Sequence, residues 1–258
     1  MNSTAILIFA SLQYSADKFG SAGSRAARRV FSALTDRAIT IGREVLPHDL
    51  FLAVPAGEQK RFARNQLHVL IQQGETFGDR LHASVDQVFQ RGYDRILILG
   101  NDCPQLDTRI LRDALDRFET VSAVIGPDHR GGVFLIGVTA ETFPVLSSIR
   151  WNQNTDFNQI TSELRRKNVC LSVLAKCHDI DNAQDLNRVV QHLQAHDGWR
   201  LRSLLMGLFV GDPSVPASPR SIRVVPFFLK ETQITNQLPP PLVVVLPLSL
   251  RPRFADTI

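Results

Sequence analysis

Short runs of Val, Ile and Leu alternate along the first part of the chain with segments in which apolar residues recur every three or four positions. Six of these apolar runs are strand candidates, at residues 5–10, 50–54, 95–100, 123–125, 133–138 and 169–174. Most of them lack alternating polar positions, which is typical of strands that are covered on both faces. The pattern therefore predicts a mostly parallel sheet buried between helices.

Three helices with apolar stripes fit between or after these strands. Thr76 and Asp79 are placed as a variant of the N-terminal capping box for the first helix. Asp107 and Asn182 are each placed to cap a further helix. Strand–helix alternation of this kind indicates βαβ units with right-handed crossovers. We therefore expect an α/β fold in residues 1–196, a three-layer sandwich around a mostly parallel sheet.

In such sheets ligands bind beyond the carboxyl ends of the strands, so the residues after each strand are the first candidates for chemistry. Residues 100–104, Gly-Asn-Asp-Cys-Pro, follow the most apolar strand. Asp102 is then presented where a carboxylate could hold Mg²⁺ or Mn²⁺ against a diphosphate. The alternative, which residue type alone favours, is an Asx turn in which Asp102 bonds only local backbone N–H groups.

Five motifs follow one another in a fixed order between residues 72 and 190. They read QGETFGDRL, GNDCP, GPDHRGGVFLIG, IRW and DIDNAQDL, at residues 73–81, 100–104, 126–137, 149–151 and 179–186. Together they resemble a bacterial family of glycosyltransferase-like, or nucleotide-diphospho-sugar-transferase-like, proteins. Relatives of that family include the guanylyltransferases of molybdenum-cofactor and phospholactate-linked cofactor synthesis. The resemblance implies a Rossmann-like nucleotide-diphospho-sugar transferase (GT-A) fold.

The resemblance also implies roles for individual residues. Asp102 matches the catalytic residue that binds the divalent metal and the diphosphate. Asp181 matches a second metal ligand, with a helix-entry carboxylate as the equally weighted alternative. Arg80 is expected to contact the nucleotide phosphates. The expected substrate pocket contains Gly131, Gly132 and Trp151, although Trp151 could instead pack on the edge of the sheet.

The sequence departs from the family pattern at two places. The basic phosphate loop of the family, with its Lys-Thr-Arg-Leu run, is absent from residues 11–25. A phosphate cradle could be rebuilt there from Lys18, Gly20, Gly23 and Arg25, the alternative being a plain surface loop. Arg130 stands where the family has Asp before the paired glycines. Arg130 cannot bind a metal or sugar hydroxyls as a carboxylate would, but it could contact phosphate.

Three functional hypotheses follow from these motifs and departures. The first is a metal-dependent transferase that uses a nucleotide-sugar. The second is a nucleotidyltransferase of the guanylyltransferase type, which is weakened because a triphosphate calls for a strongly basic first loop. The third is a non-catalytic descendant of the fold that binds a ligand or serves in assembly, which both departures favour.

Composition narrows the range of partners and of cell compartments. The chain has 258 residues, 44% hydrophobic and 21% charged, which excludes wholesale disorder. Its net charge of +4 comes mostly from Arg, which suits a phosphorylated small molecule better than nucleic acid. No apolar run is long enough for a membrane span, and the first ten residues do not have the basic start of a signal peptide. Three cysteines are too few for a disulfide framework, so we expect a cytoplasmic protein.

Residues 197–258 are expected to form a second region, which lies outside the family resemblance. Nine of the 14 prolines fall between Pro213 and Pro252, and they forbid long helices and central strands. Residues 224–229 and 242–246 are nevertheless apolar, and leaving them in water would be costly. They could pack on their own subunit or cross to a neighbour. We favour the second arrangement, an arm that joins a homodimer.

Overall fold

The computed structural model describes residues 3–10, 23–62, 67–179 and 185. All of them lie in one compact unit, Met1–Pro216, whereas the second unit, Ala217–Ile258, is outside the described residues. The expected helix cap Asn182 and the expected domain boundary at residue 196 are also outside them.

Seven strands within the described residues form a single sheet in the order β3-β2-β1-β4-β6-β5-β7. Strand β6 is antiparallel to its neighbours β4 and β5, and every other neighbouring pair is parallel. The predicted mostly parallel sheet is therefore confirmed. The strands are β1 (Thr4–Phe9), β2 (Leu50–Val54), β3 (His68–Ile71), β4 (Arg95–Gly100), β5 (Ala123–Pro127), β6 (Val133–Thr139) and β7 (Leu171–Val173).

Helices cover both faces of the sheet, as expected for a three-layer sandwich. The α-helices are α1 (Gly23–Val45), α2 (Gln59–Phe62), α3 (Phe77–Phe89), α4 (Thr108–Phe118) and α5 (Asp156–Arg166), with a 3-10 helix at Phe143–Ser148. Helices α1 and α4 share a core cluster on one face, and α3, α5 and the 3-10 helix share the cluster on the other. None of the helices in the described part of the chain is long and apolar enough to cross a bilayer.

Alternation along β1 shows how one strand serves both layers. Ile6 and Ile8 belong to the cluster under α1 and α4, whereas Leu7 and Phe9 belong to the cluster under α3 and α5. Because both faces are covered, residues 5–9 are all buried and carry no polar side chain. The continuous apolar run in the sequence thus reflects burial on two sides.

The predicted caps of two helices are present. The Thr76 hydroxyl accepts from the Asp79 N–H at 3.1 Å, and the Asp79 carboxylate accepts from the Thr76 N–H at 3.0 Å. At α4 the Asp107 carboxylate accepts from the Ile110 N–H at 2.8 Å. These bonds satisfy backbone donors that the first turn of a helix otherwise leaves without partners. The two helices therefore begin where the sequence indicated.

Five elements were not predicted, namely β3, α1, α5, the short helix α2 and the 3-10 helix. Edge strand β3 has four residues, of which Leu70 alone is buried, so its apolar signal is weak. Helix α5 is rich in polar residues and buries mainly Ile160 and Leu164 among its apolar ones. Helix α1 begins at Gly23, which corrects the expectation of a loop through residue 25: Gly23 and Arg25 lie in its first turn.

Candidate functional site

The loop that follows β4 carries Asp102 at the carboxyl edge of the sheet. A Cβ atom on Gly100 would lie 2.9 Å from Oδ1 of Asp102, so the glycine leaves room for this carboxylate to fold back over the strand end. The neighbouring Asn101 is buried, and its amide donates to the Thr35 hydroxyl of α1 at 3.0 Å. The loop is therefore anchored to α1 while Asp102 remains partly exposed.

Cys103 is a buried side chain that packs beneath this loop. It is buried, and it is hydrogen-bonded to the buried Cys177 of the segment after β7. The hydrogen bond with Cys177, and then burial, raise the pKa of the Cys103 thiol well above its usual range. A thiol held protonated in this way is a poor nucleophile.

A cleft of about 580 Å³ lies at the carboxyl edge of the sheet. Among the described residues, Arg80 is the one cationic side chain on its wall. Its aromatic side chains include Phe9, Phe77 and Trp151. The acidic side chains that line it come from four different loops or helix starts and are Asp102, Asp128, Asp156 and Asp179. The described residues thus bring together carboxylates that are far apart in the sequence.

Asp128 follows β5 and organises the turn that leads into β6. Its Oδ1 atom accepts from the N–H of Arg130 at 2.7 Å and from the N–H of Gly132 at 2.9 Å. A Cβ atom on Gly132 would overlap Oδ2 of the same carboxylate. The glycine at position 132 therefore permits Asp128 to lie, 8% exposed, on the floor of the cleft.

Asp156 opens helix α5 and is also 8% exposed. Its Oδ1 atom is buried without a hydrogen-bond partner. Burial raises the pKa of the Asp156 carboxyl group; the N–H groups of Asn152 and Gln153 oppose this shift, and the charge of Asp128 adds to it. A raised pKa means that ionised Asp156 is poorly compensated by the protein around it.

The α3 side of the cleft is formed by the motif at residues 73–81. Arg80 donates through Nη1 to the Glu75 carbonyl at 2.7 Å and lines both the main cleft and a smaller neighbouring cavity of about 210 Å³. The ring of Trp151 packs against Phe77 at 5.5 Å between centroids. A Cβ atom on Gly78 would come 2.9 Å from the indole, so this glycine admits the tryptophan to the wall.

Trp151 also separates the main cleft from a second one. That second cleft, of about 570 Å³, lies beside the 3-10 helix and is lined by Asp79, His82 and Arg150 among others. It shares Phe77, Trp151 and Asn152 with the main cleft. Trp151 therefore packs on the start of α3 and against the core cluster that α3 and α5 cover.

The structure brings four of the predicted site residues to one place. Asp102, Arg80, Gly132 and Trp151 line the main cleft, and Gly131 lies beside them in the turn after Asp128. Gly23 and Arg25 are in the first turn of α1, with their side-chain surroundings outside the described part. The remaining predicted positions, Lys18, Gly20 and Asp181, lie outside the described residues.

Arg130, one of the two departures from the family pattern, is not among the residues that line the main cleft. Its guanidinium pairs with the buried carboxylate of Asp185 at 2.5 Å. Asp185 is 7% exposed on its side chain, so the pair neutralises a charge that would otherwise be costly to bury. The main cleft instead receives a carboxylate from Asp128, two residues earlier.

Sequence reasoning missed Asp128 and Asp156. Asp128 comes three residues after the predicted strand 123–125 and directly after the observed β5, so the rule that singled out Asp102 could have found it. Asp156 had no such signal, because its helix was not predicted. Asp179 lies in a segment that the motifs had marked, but it was not assigned a role. Within the described residues no group of three His, Cys, Asp or Glu side chains is arranged to hold a metal ion without other ligands.

Comparison with known proteins places the fold. The profile of a family described as an uncharacterized protein conserved in bacteria (DUF2064) matches residues 43–153. Among curated proteins, none matches the sequence significantly.

Many solved structures resemble the chain, among them the following three. A provisionally assigned nucleotide-diphospho-sugar transferase from Desulfovibrio desulfuricans G20 has a TM-score of 0.71 at 24% identity, covering 80% of this chain and 95% of its own. A cytidylyltransferase from Leptospira borgpetersenii has a TM-score of 0.51 at 15% identity, covering 81% and 94%. Rv0371c of Mycobacterium tuberculosis H37Rv, solved in complex with manganese, has a TM-score of 0.52 at 15% identity, covering 74% and 100%.

These similarities confirm the expected fold. The chain has the architecture of nucleotide-diphospho-sugar transferase-like proteins, a mostly parallel sheet between helices.

Proposed function

We propose that this protein is a divalent-metal-dependent transferase that uses a nucleotide-sugar. The observation that carries the proposal is the main cleft, in which Asp102 lies with three other aspartates, Arg80 and Trp151 at the carboxyl edge of the sheet. Sheets of this class bind ligands at that edge. A cleft that is acidic at its floor and has one guanidinium on its wall suits a diphosphate held by both a metal ion and Arg.

Two features of the described residues could bind the phosphates of the donor, the Arg80 side chain and the N-terminus of α1. Arg80 extends its guanidinium over the main cleft and the smaller cavity beside it, so it can meet a phosphate that lies across both. Helix α1, with Gly23 and Arg25 in its first turn, follows β1 and precedes the parallel strand β2. Its N-terminus therefore points to the carboxyl edge, where backbone N–H groups and the helix dipole favour an anion.

The donor set of the cleft fits a hard divalent cation. Carboxylate oxygens are the ligands that Mg²⁺ and Mn²⁺ prefer, and the buried Oδ1 of Asp156 is an oxygen for which the described structure provides no partner. Asp102 and Asp181 would hold the ion according to the family resemblance. When bound, the ion would neutralise the negative charge that develops on the departing diphosphate.

The side chains of the cleft would orient the donor and exclude water. Arg80 would hold the diphosphate in one orientation, which lowers the entropic cost of reaching the transition state. Trp151 and Phe77 would exclude water from the sugar side of the cleft and thereby limit hydrolysis of the donor. The shorter, less basic segment at residues 11–25 favours a diphosphate over a triphosphate, and hence glycosyl transfer.

Nucleotidyl transfer is the second candidate, favoured by the likeness in fold to the Leptospira cytidylyltransferase. The two reactions release different products. Glycosyl transfer releases a nucleoside diphosphate from a nucleotide-sugar, whereas nucleotidyl transfer releases pyrophosphate from a nucleoside triphosphate. Product analysis by ion-exchange chromatography, after incubation with each class of donor and Mn²⁺, separates them.

Binding provides the first experiment. A thermal-shift screen with nucleotides and nucleotide-sugars, with and without Mn²⁺, identifies the donor because specific ligands raise the apparent stability. Asp102→Asn keeps the shape of the side chain but removes its charge. It should weaken Mn²⁺-dependent binding of that donor at least about tenfold, or about 1.4 kcal/mol, by calorimetry.

Asp116→Asn, an exposed position on α4, makes the same change of charge away from the cleft and should have no effect. Equal donor affinity in Asp102→Asn and the parent protein would refute the proposal.

A further inference from the structure

Asp128 and Asp156 form a pair of buried carboxylates within the main cleft. Each is 8% exposed, and both line the cleft wall. Their turns are packed together: the Phe157 N–H donates to the Gly131 carbonyl at 3.0 Å, and a Cβ atom on Gly131 would overlap the Asn154 carbonyl. The two loops are therefore held in a fixed relation, and the carboxylates with them.

Among the described residues, backbone N–H groups alone offset the negative charge of this pair, and for Asp156 these are the N–H groups of Asn152 and Gln153. The contacts of Asp128 are the N–H groups of Arg130 and Gly132, and neither Asp128 nor Asp156 forms an ion pair with a described Lys or Arg. The nearest guanidinium in sequence, that of Arg130, is engaged by Asp185. Oδ1 of Asp156 is buried and has no hydrogen-bond partner at all. Carboxylates in such surroundings are costly unless a positive charge is added.

We propose that Asp128 and Asp156 form a cation subsite for Mg²⁺ or Mn²⁺, distinct from the expected pair Asp102 and Asp181. This inference rests on the proposed function in one respect: the subsite lies in the cleft that we propose for the nucleotide-sugar. The two side chains are too few to fill the coordination shell of such an ion, so water and phosphate oxygens of the substrate complete it.

The chemistry of the pair selects a hard cation. All of its available donors are oxygens, since the imidazoles and thiols among the described residues do not line the cleft. Zn²⁺ would find no nitrogen or sulfur ligand there, whereas Mg²⁺ and Mn²⁺ bind well to carboxylate and water. The cation would also relieve the repulsion between the two buried charges.

The test measures Mn²⁺ binding to the full chain in the absence of any nucleotide, by electron paramagnetic resonance of free Mn²⁺. Asp156→Asn and Asp128→Asn should each weaken binding at least about tenfold. Asparagine at position 128 can still accept from the two backbone N–H groups, so its turn should be retained. Asp116→Asn is the control with the same change of charge.

Thermal unfolding separates a ligand from a structural role. Without metal, Asp156→Asn should unfold at the same or a higher temperature than the parent, because it removes a buried like charge. The rise in unfolding temperature that Mn²⁺ causes in the parent should be smaller in this variant, because the expected pair Asp102 and Asp181 is unchanged. A purely structural Asp156 would give the opposite pattern, with a lower unfolding temperature and an intact response to Mn²⁺.

Two results would overturn the inference. One is Mn²⁺ affinity in Asp156→Asn equal to that of the parent, and the other is a parent that binds no Mn²⁺ at millimolar concentrations. If Asp128→Asn does not fold, Asp156→Asn alone decides. Failure of the proposed function looks different, because nucleotide binding would then be absent while Mn²⁺ binding and its sensitivity to Asp156 remained.

Discussion

Single glycines determine which side chains can reach the cleft. Gly100 leaves room for Asp102, Gly132 leaves room for Asp128, and Gly78 admits Trp151. Gly131 has a different function: with φ at 100°, it lets two loops touch through its backbone. At each of these four positions, another group of the cleft occupies the space that a Cβ atom would need. The glycines therefore contribute to the site without contacting a ligand.

Gly131→Ala should be far more destabilising than Gly92→Ala. Both glycines have positive φ, 100° and 91°, so an alanine at either is strained by roughly 1–2 kcal/mol. Nothing lies within 4 Å of a Cβ atom at Gly92, whereas at Gly131 it would overlap the backbone carbonyl of Asn154. Overpacking of this kind adds about 1–3 kcal/mol.

The measurement is the free energy of unfolding in urea, with Gly92→Ala as the matched control for backbone strain. Equal losses in the two variants would show that the loops at Gly131 and Asn154 separate easily.

At this scale the sequence predicted part of the site. Asp102 could be found because it follows a buried strand directly, and Arg80 and Trp151 because they belong to motifs. Asp156 could not, because its placement depends on how one turn packs on another, and the turn at Asn152 and Asn154 needs two residues with positive φ. Such tertiary packing has no periodic signal along the chain.

Helix starts are the elements that position the site. Helix α3 begins three residues before Arg80, and α4 begins eight residues after Gly100 ends β4. Asp107 caps α4. Burial alone would raise the pKa of this carboxyl group, but hydrogen bonds from the Ile110 N–H and from Arg109 together lower the pKa by more than burial raises it. The folded pKa of Asp107 is therefore below its usual value. The cap thus fixes the far end of the loop that carries Asp102.

Removing the cap of α4 should destabilise the protein. Asp107→Ala is expected to cost about 0.5–2 kcal/mol at pH 7, while Asp107→Asn keeps a side-chain acceptor and should cost less. Because the folded pKa is lowered, the stabilisation from the ionised carboxylate is present above the usual pKa of 3.8 and is lost as the pH falls through the folded value.

Urea unfolding of the parent and Asp107→Asn at several pH values provides the measurement. The difference in stability between them should shrink on acidification. A difference that grows instead would contradict a lowered folded pKa.

Elements with strong apolar periodicity were predictable and the others were not. The bounds of β2 and β4 agree with the predicted residues 50–54 and 95–100, since both strands are buried on two faces. Helices α1 and α5 and the edge strand β3 were missed because polar residues occupy much of their surfaces. Their positions are decided by packing on the sheet.

For the whole molecule, the direction of β6 decides where the cleft lies. Because β6 is antiparallel to β4 and β5, it begins at the edge where those strands end. Asp102, Asp128 and the paired glycines therefore lie at one edge of the sheet. If β6 were parallel to β5, the chain would have to cross to the opposite edge before β6 began. Strand–helix alternation predicted the sheet, but not this reversal.

Truncation after His196 tests the expected role of residues 197–258. We propose that the apolar stretches at 224–229 and 242–246 join a second copy of the chain. Multi-angle light scattering should then give a dimer for the full chain and a monomer for the truncated one. If both are monomers, residues 197–258 cover their own subunit instead, and the homodimer is refuted.

The wall formed by Phe77, Trp151 and Asn152 belongs to two cavities at once. A molecule that rotates the Trp151 indole when it enters one cavity would also change the shape of the other cavity, because the indole forms part of the wall of both. Thermodynamic reciprocity then requires that the second occupant act back on the first by the same factor. If the donor binds in one cavity and the acceptor in the other, the affinity of each measured alone would then differ from its affinity in the ternary complex. The ratio of the two affinities of one ligand would measure the coupling that Trp151 transmits.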